Sequence, residues 1–459
     1  MPEPSAPARA DGARAGAADP LTEPSPPPAS VAAWLAARLP FYYGWLLLGV
    51  AIVTIGIGAN SRTAFSLLFP PILDETGWSR GLTAGIFSFG FLASIPLSAG
   101  IGWLIDRLGP GFVMPIGAWT VAVGLILATF ATEPWHLYVT LGGLAVGASI
   151  SLAFIGHGAF IPNWFTRRRG LAMGIAASGV GFGALALFPW MQWILDTFGW
   201  REACWLLALF LLAIVLPVNL LLPRRHPEEL GLHAEGDESP HGDRPDGPND
   251  GESAGAARVE VEWTLAGALR SARYWYLWAG IFCALFAWYL IQVHQTKFLI
   301  DIGFPATTAA WALTLVGVTG IAGLILIGHL SDRIGREWGW TASCGGYVLC
   351  YALLLVIEHV PSTVLMYVMV TAQGFLGYGI AALYGSVAAD IFQGPRFGTI
   401  FGTLSLGAGL GAAAGPWIGG IVFDHDGSYA PAFMLAILLS VASAVCVWLA
   451  APRKVRPVG

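Results

Sequence analysis

GWLIDRLGP, residues 102–110, sets an acid beside a base in a chain of which only 11% is charged. Residues 328–336, GHLSDRIGR, repeat the pattern: Gly102, Asp106, Arg107 and Gly109 return as Gly328, Asp332, Arg333 and Gly335, each displaced by 226 positions. Working outward, Gly77 returns as Gly303 at the same displacement, and Gly147, Gly158 and Phe165 return as Gly374, Gly385 and Phe392 at 227. Gly170, Gly174, Gly179, Gly181, Gly183, Asp196 and Gly199 return as Gly398, Gly402, Gly407, Gly409, Gly411, Asp424 and Gly427 at 228. An offset that drifts so little across 77–199 marks two related halves in the same orientation.

Composition says where those halves reside. Hydrophobic residues make up 56% of the chain and the mean hydropathy is +0.67, well above soluble domains. A hydrocarbon core of roughly 30 Å takes about 20 apolar residues as a helix. Twelve such runs follow one another: 43–71, 80–105, 112–131, 135–162, 170–195 and 201–222, then 274–300, 307–331, 339–358, 362–391, 397–422 and 430–451. The expected fold class is therefore an all-α membrane protein, with twelve transmembrane helices as two pseudo-symmetric six-helix bundles, 41–222 and 274–451. Between them, 223–273 contains GDESPHGDRPDGPNDGESAG, with almost nothing apolar to bury, and reads as a largely disordered linker. Residues 1–40 read as a similar tail and 452–459 as a short one. The N-terminal stretch lacks a charged region followed by an apolar core, so it does not read as a cleaved signal peptide.

Basic residues near span ends set orientation, because cytoplasmic loops hold the excess. With the N-terminus inside, fifteen Lys and Arg fall on the inner side, among them Arg167, Arg168 and Arg169, against Arg80 and Arg201 outside. Both termini and the linker are thus expected in the cytoplasm, in a multi-pass protein of the cell membrane. The net charge of -5 bears little on this, since the acidic excess lies partly in tail and linker. Cys204, Cys283, Cys344, Cys350 and Cys446 sit in spans without metal-ligand spacing and read as packing residues. GAGLGA, 407–412, satisfies a dinucleotide-loop pattern, but no strand precedes it and it lies within a span, so no cofactor is expected. A membrane enzyme or receptor would need a clustered catalytic or metal set, or a folded soluble domain, and neither is legible.

Twelve spans as six plus six, a long central loop, and GWLIDRLGP with GHLSDRIGR after spans two and eight resemble the major facilitator superfamily, whose G-x-L-x-D-R-x-G-R signature falls there. The likeness covers about 42–451. Pro110 stands where the signature carries a base, so the second copy, which keeps Arg336, is expected to make the stronger contacts. NWFTRRRGLAMGIAASG, 163–179, is similar to the motif entering span five of the monocarboxylate transporters. FYYGWLLLGV, GWSRG and FGWRE suit that group and its bacterial oxalate/formate antiporter-like relatives. Span eight has no acid and base pair at mid-depth, so the substrate-binding arginine of that group has no counterpart there. The resemblance implies a transporter, with substrate held near the midplane between parallel repeats and spans one, four, seven and ten lining the cavity.

In this setting the recurring motif reads as a gate. Gly102 and Gly328 would admit a neighbouring helix closely. Asp106 and Asp332 would accept hydrogen bonds from an adjacent helix N-terminus or a loop arginine, with Arg107, Arg333 and Arg336 alongside, holding the cytoplasmic side shut until the halves rock. Gly407, Gly411, Gly415 and Gly419, spaced by four, read as a helix-packing face.

Two basic residues lie within spans, and such placement is costly enough to suggest function. Arg62, in GIGANSRTAFSLLFPP with Asn60, is the first substrate-binding candidate, its planar fork suited to a carboxylate. Lys297, near the outer end of span seven, is a weaker one because it could snorkel. In the same span Trp288, Gln292 and Gln295 share a helical face, and the repeat offset makes Trp288 the counterpart of Arg62. His157 in span four and Tyr384 in span ten are counterparts at 227 and complete the substrate-binding set. No Asp or Glu falls near mid-span, so proton coupling would use His157 or His294, or the substrate would enter as the free acid. The expected function is secondary active transport of a small organic anion, proton-coupled or by exchange. Efflux of apolar or cationic compounds, the alternative, would call for the missing mid-depth acid. The expected partners are the small anionic substrate and the lipid bilayer, without nucleic acid, for a chain acting as a monomer.

Overall fold

The computed structural model describes residues 30–153, 156–157, 160–165, 169–235, 263–392 and 397–450; the side chains of a few of these, Asp106 and Asp332 among them, lie outside the description, as does position 102 in that respect. The long helices are α1 (Tyr43–Thr76), α2 (Arg80–Leu108), α3 (Pro110–Ala128), α4 (134–151), α5 (Arg169–Thr197), α6 (Trp200–Leu221), α7 (Ala272–Asp301), α8 (Ala306–Ile334), α9 (Arg336–His359), α10 (Thr363–Phe392), α11 (Phe397–Asp426) and α12 (Ala430–Ala450). Among the described residues eleven are long and apolar enough to cross a bilayer. The twelfth, α4, is mostly π-helical and is described as far as Ser151; residues 154–155 and 158–159 lie outside the description. The chain is an all-helical membrane protein built as two six-helix bundles.

The repeated glycines explain why the halves match. A Cβ on Gly179 would sit 2.4 Å from Ile52 O, and one on Gly183 would sit 2.4 Å from Gly56 O, so α5 lies directly on the backbone of α1. Their counterparts do the same for α11 on α7, where a Cβ on Gly407 would meet Trp278 O at 3.1 Å and one on Gly411 would meet Phe282 O at 2.3 Å. Trp278 and Phe282 are Ile52 and Gly56 displaced by 226, so one contact is built twice. Gly415 continues it against Phe286 O, as the four-residue spacing requires. The turns repeat as well: Gly77 and Gly303, Gly109 and Gly335, Gly199 and Gly427 all take positive φ, which a side chain would strain.

Buried apolar side chains form two large clusters. One runs from Ala32 to Val215 and takes in Val293, Ala310, Leu313, Ala412 and Ala413 from the second half; the other lies within 268–450. The first cluster therefore crosses between the bundles. The bundles also approach closely at Gly420, where a Cβ would sit 2.6 Å from Gly81 Cα, and at Gly181, where one would crowd Ile321 and Gly317 O.

Segments read as tail and linker carry some structure at their edges. Val31–Ala36 is helical, capped by Ser30, and Ala32 is fully buried. Residues 223–235 return to the bundle, where Trp164 donates to Arg224 O and Glu235 N–H donates to Trp164 O.

Candidate functional site

Arg62 stands just before α1 turns at Ala64. Its Nε donates to Ser149 Oγ on α4 at 3.3 Å, and Ser149 hands its own hydrogen to Val146 O at 2.6 Å. The guanidinium lies 4.6 Å from the centre of the Phe91 ring on α2, and the Tyr289 hydroxyl of α7 lies within hydrogen-bonding reach of it from the other half. Phe91 and Tyr289 pack ring to ring at 4.4 Å, closing an aromatic wall that spans both halves. Nη2 is shielded from solvent and has no hydrogen-bond partner. A buried donor left idle costs free energy, and an acceptor placed beside it would relieve that cost.

The other sequence-derived candidates are distributed differently. Asn60 spends its amide hydrogens on Gly56 O (2.6 Å) and Val180 O (2.8 Å), tying α1 to α5 rather than facing outward. His157 Nδ1 bonds Ala153 O at 3.0 Å, while Nε2 is buried without a partner. Trp288 packs between Tyr347 and Tyr378, with ring centroids at 5.9 and 4.8 Å, inside the second half. Its neighbour Tyr289 is the α7 residue that meets Arg62. Gln292 and Gln295 are buried, the first with its Oε1 and the second with both amide atoms unpartnered. Tyr384 shares a hydrogen bond with Ser405 on α11 and packs against the Phe401 ring at a tilt.

Lys297 is committed elsewhere. Its ammonium lies 2.9 Å from Asp74 Oδ1 and 3.3 Å from Asp301 Oδ1. Asp301 also accepts from Arg80 Nη2 at 2.5 Å, Arg80 Nη1 donates to the Tyr429 hydroxyl at 2.9 Å, and the Arg80 guanidinium covers the Phe423 ring at 3.6 Å. Asp424 accepts from the backbone N–H groups of Arg80 and Gly81 at 2.7 and 2.6 Å, capping α2 from the end of α11. Burial pushes the Tyr429 phenol well above its ordinary range, so it stays a donor, and it bonds His294 Nδ1 at 2.9 Å. Asp74, Arg80, Lys297, Phe423 and Asp424 of this cluster border a cleft of about 400 Å³. The cluster joins Asp74 and Arg80 of the first half to α7, α11 and the turn before α12 of the second. None of the partner pairs stands at a short sequence spacing, apart from Lys297 and Asp301, and reading along the chain brought only Lys297 and His294 forward.

At the opposite end, Arg336 bonds Asp390 Oδ2 (3.3 Å) and Ser331 Oγ (2.8 Å) within the second half. Arg107 lies over Trp103 of its own helix, at 4.6 Å, and Arg333 is exposed. Gly328 is partly buried; the contacts of Asp106 and Asp332, and the packing at Gly102, lie outside the description.

Two pseudo-symmetric helical bundles meeting around a buried cation are the frame of a transporter, and the chain belongs to the Major Facilitator Superfamily: residues 46–383 match that family, and 277–459 match it again. It is distantly related to monocarboxylate transporters 11 to 13. It is 25% identical to monocarboxylate transporter 13 of Rattus norvegicus, over 89% of this chain and 87% of that one, and 26% identical to monocarboxylate transporter 12 of Homo sapiens, over 88% and 79%. Among solved structures it resembles a bacterial homologue of the human lysosomal transporter Spinster in an inward-facing, occupied conformation, with a TM-score of 0.66 at 15% identity, covering 89% of this chain and 97% of that one. The nucleoside transporter NupG gives 0.62 at 14%, covering 89% and 98%. At these identities the structures speak for the fold.

Proposed function

We propose that this secondary transporter carries a small organic anion, most simply a monocarboxylate, with both termini and the linker on the cytoplasmic side of the cell membrane. The observation that carries the reading is Arg62, held between the halves with Nε engaged and Nη2 idle. A carboxylate arriving there gains a charge-assisted hydrogen bond, and the Phe91–Tyr289 wall suits an apolar remainder. The distant relatives named as monocarboxylate transporters support the same class. Rocking of the two bundles would expose Arg62 to each side in turn, with Asp106, Arg107, Asp332, Arg333 and Arg336 as the inner gate. Gln292, Gln295 and the free Nε2 of His157 are the polar groups left to contact the rest of a substrate. Coupling is to protons or by exchange.

Uptake of radiolabelled carboxylates into proteoliposomes, with and without a pH gradient, tests this. Saturable uptake of at least one monocarboxylate, competed by other acids and not by organic cations, is expected. Uptake of cations or neutral compounds without competition from acids would contradict it.

A further inference from the structure

Among the described residues, the groups joining the halves near Arg80 form a directed chain. Arg80 Nη1 donates to the Tyr429 oxygen (2.9 Å), Tyr429 is 2.9 Å from His294 Nδ1, and His294 Nε2 is 2.8 Å from Pro416 O. A carbonyl only accepts, so Nε2 carries the ring hydrogen; Nδ1 is then the acceptor, and the phenol donates to it. Every link is satisfied when the imidazole is neutral. The ring has no accessible surface and is walled by Phe69 of α1, edge-on at 5.3 Å, by Tyr429, and by α11 at Gly419.

We propose that His294 is a proton-binding site whose proton releases this latch between the halves, at the end that is outer by the charge reading. A second N–H, on Nδ1, would point at the phenol oxygen that already accepts from Arg80, and the hydroxyl hydrogen would lose its acceptor. The groups facing the ring are Tyr429 before α12, Arg80 from α2 and Asp424 from α11, with Lys297 and Asp301 three and seven residues along α7 and Asp74 beyond them on α1. All three carboxylates are engaged: Asp424 by two N–H groups, Asp301 by Arg80 and Lys297, and Asp74 by Lys297. The imidazolium would therefore be a buried cation without an anion in contact, which is costly. Parting α1 and α2 from α7 and α11 lifts Phe69 and Arg80 away and hydrates the ring, so a bound proton favours the parted arrangement and its loss favours the latched one. Three carboxylates against two cations also make this end attractive to protons. The latch does not use Arg62 and stands whether or not the substrate is a carboxylate.

The test is a distance between spin labels at Thr132→Cys and Pro361→Cys, one on each half, in the full chain with native cysteines replaced, in lipid nanodiscs without substrate at pH 8 and pH 5. A single short distance is expected at pH 8, with a longer one growing as pH falls, the ratio changing by up to about tenfold per pH unit through the titration of one site. His294→Gln should keep the short distance at both pH values. Lys297→Gln, which cuts a contact between the halves without touching the ring, and Tyr429→Phe, which removes the hydroxyl that links Arg80 to the ring, should show the longer distance already at pH 8. A parent distance insensitive to pH, a pH response that survives in His294→Gln, or latch variants that stay short at pH 8 would each overturn the proposal.

Discussion

The Lys297 ammonium of the second half lies 2.9 Å from Asp74 Oδ1 of the first. Asp74 is largely exposed, with 67% of its side-chain surface accessible, while Lys297 is mostly covered and also meets Asp301. Asp74→Asn alone should thus lower thermal stability little, by about 0.5 kcal/mol. Lys297→Gln should cost more, because it leaves Asp301 with one partner fewer. The double variant should cost no more than Lys297→Gln alone, since the lost pair is shared. Strict additivity in a thermal melt of the detergent-purified protein would show that the two groups do not interact.

Helix packing gives a second test. Gly411→Val would drive side-chain atoms into Phe282 O, and Gly183→Val would do the same at Gly56 O, a conflict with backbone that no rotamer relieves. Each should lower the yield of folded protein, by an overpacking cost of roughly 1–3 kcal/mol or more. Gly345→Ala, where the added carbon meets nothing within 4 Å, is the control and should behave as the parent. Equal recovery of all three by gel filtration would count against the shared α1–α5 and α7–α11 contact.

Much of this fold was legible in the sequence because its signals are local or periodic. Apolar runs mark helices, and among the glycines recurring at 226 to 228, Gly179, Gly183, Gly407 and Gly411 are paired packing positions and Gly77, Gly109, Gly199, Gly303, Gly335 and Gly427 paired turn positions. The candidate site was legible in part. Arg62 stood out because a cation within an apolar span is costly wherever it points. The offset that equates it with Trp288 matches positions along each half, and says nothing of which α7 side chain crosses to Arg62; that is Tyr289, one residue on. Asn60 looked available because a span offers few partners, yet two backbone carbonyls within reach of α1 take its amide. The Asp74–Lys297 and Arg80–Asp424 contacts join residues far apart in the chain, so no spacing rule announces them.

Orientation is tested by thiol labelling in intact cells. Pro245→Cys in the linker should be reached only by permeant reagents, and Ser428→Cys, in the turn between α11 and α12, by impermeant ones. Labelling of position 245 from outside would reverse the topology.

For the inner gate, Asp106→Asn and Asp332→Asn should lower the maximal uptake rate severalfold and leave the concentration for half-saturation nearly unchanged, since both residues lie far along the chain from Arg62's neighbours. Uptake kinetics in proteoliposomes separate the two. A loss of affinity at constant rate would place these carboxylates at the substrate instead.

Arg62 is where the carboxylate assignment can be tested most directly, by calorimetric binding of an aliphatic and aromatic acid panel to purified protein. A carboxylate in this site has shed water, and truncating its charge partner should cost roughly 2–5 kcal/mol. Arg62→Ala is expected to lose measurable binding while remaining folded. Arg62→Lys should bind poorly, because it keeps the charge but loses the planar fork. Binding of the transported acid by Arg62→Ala as tightly as by the parent would contradict the assignment.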